Sequence, residues 1–192
     1  MLGVDLDNTI VCYDDVFDRA AREQGLIEGG PLRAKGALRD ELRAAGREDD
    51  WTALQGYVYG PGMAVAPPFE GALEFLRDCA DAGIEVAIVS HRTPRPYAGP
   101  AYDLHASARD WLRDREVGMP SERIHLEATR EGKLERIAAI GCTTFVDDLP
   151  EFLTDPGFPD GVERVLFDPH GTGAPDGVRS IASWRDAAVL VP

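Results

Sequence analysis

Met1-Leu2-Gly3-Val4-Asp5-Leu6-Asp7-Asn8-Thr9 opens the chain. A short apolar run passes without a break into two aspartates at alternate positions, the pattern of a buried strand that delivers carboxylates at its carboxyl end. Four further apolar, β-branched runs at 84–90, 123–126, 143–147 and 163–167 read as strands of the same kind. Helical patterns separate them. Phe69, Ala72, Leu73, Leu76 and Ala80 recur at helical spacing between Pro67-Pro68 and Gly83, and 101–116 and 132–140 follow suit. Strand and helix alternate, so the economical architecture is an α/β fold with a doubly wound parallel sheet.

The interval 14–66 breaks this rhythm. Asp14-Asp15 opens one helix, with Val16, Phe17, Ala20 and Ala21 on one face and Gly25 to close it, and a second helix runs over 31–45. Glu48-Asp49-Asp50 reads as a solvated loop and 56–62 as a flexible return path. The expected domains are therefore a core of 1–13 and 67–192 and a small helical cap of 14–66.

Composition narrows the partners. The 192 residues hold 34 acidic against 20 basic side chains, a formal charge of −14, and such a surface repels polynucleotides and anionic lipid. Neither a nucleic-acid polymer nor a membrane is an expected partner, and any phosphate must enter a local basic site. All but two basic residues are arginine, and the lysines are Lys35 and Lys133. Three cysteines without metal-binding spacing argue against a disulfide framework or a zinc site. With no apolar run of membrane-spanning length and no leader-like start, a cytoplasmic location is expected. Oligomeric state is left open.

In an open α/β sheet, ligands sit beyond the carboxyl ends of the strands. Asp5, Asp7 and Thr9 follow the first strand, Ser90-His91-Arg92-Thr93 the second, and Asp147-Asp148 the fourth, while Lys133 starts the helix before that strand. Oxygen ligands from Asp5 and Asp148 suit a hard divalent cation such as Mg²⁺, and Lys133 supplies the point charge that a phosphate needs beside carboxylates. Each residue alone is readily a cap, a turn former or a solvated side chain. Agreement of four elements at one sheet edge makes a site.

In this combination the residues resemble the haloacid dehalogenase-like (HAD) hydrolase superfamily: Asp5-x-Asp7-x-Thr9, Ser90, Lys133 and Asp147-Asp148 look like its motifs I to IV. The resemblance implies a Rossmann-like sheet of order 5-4-1-2-3, with a helical cap between motifs I and II. It also implies Asp5 as a nucleophile forming an aspartyl-phosphate, and Asp7 as the acid and base. The Asp7 carbonyl would join Asp5 on Mg²⁺ with a carboxylate of the acidic pair: by family pattern Asp148 is the direct ligand, with Asp147 behind it or as the alternative ligand. Ser90 and Lys133 would grip the phosphoryl oxygens, with Thr9 and His91 beside them. Similar dehalogenases lack the second aspartate, so Asp7 favours phosphoryl chemistry.

The loop after Ser90 is rich in proline and glycine and carries Arg92, Arg95 and Tyr97, candidates for contacts to the rest of the substrate, as is Lys35 of the cap. The function expected is a Mg²⁺-dependent phosphomonoesterase of a small phosphate ester, a sugar phosphate or nucleoside monophosphate. A non-catalytic phospholigand-binding protein and a phosphoryl transferase are the alternatives.

Overall fold

The computed structural model describes residues 1–190. In chain order, β1 (Leu2–Val4) is followed by α1 (Val16–Glu23), α2 (Lys35–Ala44), α3 (Glu48–Tyr59), a 3-10 helix over Pro61–Val65 and α4 (Ala72–Asp81). Then come β2 (Val86–His91), α5 (Leu104–Asp114), β3 (Ile124–Glu127), α6 (Arg130–Ala139) and β4 (Thr144–Asp147). The short α7 (Pro150–Leu153), β5 (Glu163–Phe167) and β6 (Arg179–Ile181) complete the main elements.

Two compact units divide the chain. The first comprises Met1–Cys12, Pro68–Arg92 and Glu116–Pro192, of which Val191 and Pro192 lie outside the described residues. It holds a parallel sheet in the order β3-β2-β1-β4-β5-β6. This is the expected 5-4-1-2-3 arrangement with one strand added at the β5 edge. β1 is central, with Val4 opposite Ile88 on one side and Val146 on the other. Its three residues are all buried, as a strand covered on both faces requires.

Alternation along the strands sends side chains to two cores. Val89, Phe145 and Leu166 join Leu134 and Ile137 of α6, Phe152 and Leu153 of α7, and Phe158 on one face. On the other, Phe167 packs against Phe69 and stacks on Trp184, which also meets Phe75 of α4. Gly3 is small for a reason: a Cβ there would lie 2.5 Å from the Phe145 ring and 2.7 Å from the Cys142 sulfur. No described helix is long and apolar enough to cross a membrane.

The second unit comprises Tyr13–Pro67 together with Thr93–Arg115. The boundaries drawn from sequence left 93–115 with the core, but here the proline-rich loop and α5 pack with the inserted helices. Trp111 of α5 donates its indole N–H to the Ala66 carbonyl at 2.8 Å. Gly56 admits the loop, since a Cβ at this position would stand 2.7 Å from Pro96.

That packing also corrects two expectations. Glu48–Tyr59 is a continuous helix, neither a solvated loop at Glu48-Asp49-Asp50 nor a flexible path from Gly56. Its three acidic residues occupy the first turn, where they complement the helix dipole, and Trp51, Leu54 and Val58 are buried along one side. Phe17 stacks on Trp51 at 5.3 Å and meets Tyr59 edge-on at 5.6 Å. Asp18, fully buried, is held by Arg22 and by the backbone N–H of Arg33, and Arg22 first of all draws its carboxyl below the usual range.

Candidate active site

Asp5 follows β1 directly, and its backbone N–H donates to the Val146 carbonyl at 2.9 Å, which continues the pairing with β4 by one step. Asp147 is the last residue of β4. The two carboxylates are thus neighbours on adjacent strands, and both side chains are buried. Between them stands Lys133, whose Nζ lies 2.6 Å from Asp5 Oδ1 and 2.6 Å from Asp147 Oδ2. Asp147 uses its other oxygen to accept from the Leu149 N–H at 3.0 Å, so the turn after β4 is tied to the same group.

Lys133 reaches this position because α6 starts at a defined point. Thr129 caps the helix, its hydroxyl oxygen accepting from the Gly132 N–H at 3.0 Å. Lys133 then falls in the first turn, facing the strand ends. Its side chain is only 3% exposed, and its ammonium lies 4.2 Å from the centre of the Phe152 ring and 5.4 Å from that of Phe145. These rings exclude water from the charge and favour it through their faces. Phe152 escaped the sequence reading, because a phenylalanine in a four-residue helix carries no signal that its ring meets a cation.

Asp7 sits in the tight turn after β1. The N–H groups of Ile10 and Val11 both donate to the Leu6 carbonyl, at 3.1 and 2.9 Å, and Asn8 adopts a left-handed φ of 58°. Thr9 in the same turn is buried, its hydroxyl 3.5 Å from Asp148 Oδ1 and its carbonyl accepting from the Trp184 indole at 2.9 Å. Ser90 is buried near the end of β2, whereas His91 beside it is exposed. Arg92, read from sequence as a substrate contact, instead turns inward to form an ion pair with Asp7. Arg95, Tyr97 and Lys35 lie in the second unit. Arg95 donates to the Ala101 carbonyl, Tyr97 is 85% exposed, and the Lys35 ammonium donates to the Tyr59 hydroxyl at 2.8 Å.

Asp5, Asp147 and Asp148 each offer a carboxylate oxygen, and these atoms lie within 4.8 Å of one another. A cluster of hard oxygen donors at that spacing fits a divalent cation of the Mg²⁺ type. The electrostatics point the same way. Burial pushes the Asp5 carboxyl up to about 7 against the pull of Lys133, and the nearby Asp147 and Asp7 push in the same direction. Burial alone would lower the Lys133 ammonium, but Asp147 and Asp5 outweigh it and hold its pKa above the ordinary value. The ammonium therefore stays charged, while the carboxylates around it still call for a further cation.

No family model and no curated protein matches the chain. Solved structures do match it in shape. YfnB, a HAD-hydrolase from Bacillus subtilis solved with bound magnesium, superposes with a TM-score of 0.63 at 14% identity, over 100% of this chain and 98% of its own. A HAD family hydrolase from Deinococcus radiodurans, with bound phosphate and sodium, gives 0.59 at 17% identity over 98% and 94%. The protein tyrosine kinase PtkA of Mycobacterium tuberculosis gives 0.66 at 16% identity over 100% and 98%. With this strand order, and at this breadth of coverage, the chain has the fold of the HAD-superfamily hydrolases.

Proposed function

We propose that the chain is a Mg²⁺-dependent phosphomonoesterase acting on a small phosphorylated metabolite of the sugar phosphate or nucleoside monophosphate class. The observation that carries this reading is the Asp5–Lys133–Asp147 cluster at the ends of β1 and β4, with Asp148 beside it and Asp7 two residues beyond Asp5.

The chemistry follows from these groups. An Asp5 oxygen attacks phosphorus, the bond from phosphorus to the leaving oxygen breaks, and Asp7 gives that oxygen a proton. Water then attacks the phosphorus of the aspartyl-phosphate and passes a proton to Asp7, and the bond to Asp5 breaks to release inorganic phosphate. Lys133, already charged and shielded by Phe152, offsets the phosphoryl oxygens. Ser90, Thr9 and His91 are proposed to complete that grip. A cation held by Asp5, Asp148 and the Asp7 carbonyl would neutralise charge on the phosphoryl group, and Asp147 would act through Lys133. We assign the inserted helices the role of a cap from their place in the chain after the Asp5-x-Asp7 stretch, and a cap restricts a site to small esters.

A panel of hexose and pentose phosphates, nucleoside monophosphates and phosphorylated cofactor fragments tests the reading. Purified protein with Mg²⁺ is expected to release inorganic phosphate as the sole phosphorus product from at least one ester, and chelation by EDTA is expected to stop it. Transfer of the phosphoryl group to a second metabolite would indicate a transferase. Tight binding without turnover would indicate a phospholigand-binding protein.

A further inference from the structure

We propose that Arg92 is a positioning residue for Asp7: its guanidinium fork holds both carboxylate oxygens and sets the direction in which Asp7 meets the leaving oxygen and then the attacking water. The inference rests on the phosphomonoesterase reading and adds to it a residue outside the four motifs.

The geometry is that of a clamp. Arg92 Nε donates to Asp7 Oδ2 at 3.3 Å, and a terminal nitrogen donates to Oδ1 at 2.5 Å. Two N–H groups on two oxygens fix the carboxylate plane as well as its distance, which a point charge cannot do. The two side chains differ in burial: Arg92 is 2% exposed and Asp7 17%. The guanidinium thus faces the interior, while the carboxylate is the more exposed partner of the pair. A substrate-binding arginine would show the reverse, its charge outward and waiting for an anion.

The backbone supports the same reading. Arg92 is anchored to the sheet, its N–H donating to the Glu127 carbonyl at 2.7 Å, one step beyond the pairing of His91 with Glu127. Asp7 has no strand of its own. It lies in the turn after β1, joined to Val11 by an isolated bridge and followed by the left-handed Asn8. A proton-transfer group on a turn needs an external hold, because misplacement by an ångström costs on the order of 10²-fold in rate. Arg92, 85 residues further along the chain, brings the rigidity of β2 to it.

Rapid-quench kinetics on Arg92→Ala and Arg92→Lys, with Mg²⁺ present, tests this with two esters: the best alkyl phosphate of the panel and 2,4-dinitrophenyl phosphate, whose leaving oxygen needs no proton. On the alkyl ester both variants are expected to lose about 10²-fold in kcat, with KM changed by no more than roughly threefold. On the dinitrophenyl ester, formation of the aspartyl-phosphate should keep its wild-type rate while its hydrolysis slows. Dinitrophenolate then appears as a burst of about one per site before a slow steady state. The lysine variant keeps the charge but not the fork, so its failure to restore the rate separates orientation from charge. A rise in KM alone, equal losses on both esters without a burst, or full rescue by lysine would overturn the proposal. Wild-type protein that hydrolyses neither ester would overturn the phosphomonoesterase reading itself, and this inference with it.

Discussion

Asp5→Asn is expected to abolish phosphate release, lowering turnover on the order of 10⁴-fold or more, while leaving the protein folded. The substitution keeps the shape of the side chain and an oxygen for Lys133 to donate to, and it removes the nucleophile. It also removes a charge that the fold holds at a cost, since burial has already pushed the Asp5 carboxyl up to about 7. A neutral amide there should therefore hold or raise the melting temperature. Phosphate release at saturating ester, measured beside a thermal melt, checks both halves. Retained turnover would remove Asp5 from the chemistry, and a collapsed melt would show that its role is structural.

Lys133→Met carries the second large effect, and here stability and activity fall together. The ammonium is buried 2.6 Å from each of two carboxylates, and methionine of similar length leaves Asp5 and Asp147 facing one another without a cation. Breaking a buried pair from one side costs about 3–5 kcal/mol. The loss should depend on pH. The Asp5 carboxyl titrates higher in the folded chain than its ordinary value of 3.8, so its contribution to stability is complete below that value and is lost as pH rises through about 7. Lys133 restrains that loss by favouring the ionised form. Without it the Asp5 carboxyl titrates higher still and the decline continues to higher pH, so the gap in melting temperature between wild type and variant should be smallest near pH 5 and widest near pH 8. A gap that narrows with rising pH would contradict the assigned pairing.

The opening stretch was the most legible part of the molecule. A strand buried on both faces has to be apolar throughout, so Met1 to Val4 announced both its place in the sheet and the edge at which Asp5 would emerge. Lys133 was legible because lysine is so rare in this chain. Other features were hidden for physical reasons. β6 has three residues, of which Arg179 and Ser180 are exposed, so it carries no hydrophobic pattern. α3 contains Gly56, a residue that reads as a turn former, but the burial of Trp51, Leu54 and Val58 and the approach of Pro96 outweigh its poor helix propensity. The partner of Arg92 lies 85 residues away in sequence, beyond the neighbouring strand β1, and no local spacing tells whether an arginine after a strand turns outward to a ligand or inward to a carboxylate.

Whether Asp5 carries the phosphoryl group is decided by peptide mass mapping after acid quench. Wild-type protein is mixed with Mg²⁺ and its best ester in ¹⁸O-water and quenched within the first turnover. A phosphoryl group is expected on the peptide containing Asp5, with ¹⁸O appearing in the released phosphate and not in the Asp5 carboxylate. Release of phosphate with Asp5 unmodified throughout, or ¹⁸O in its carboxylate, would contradict it.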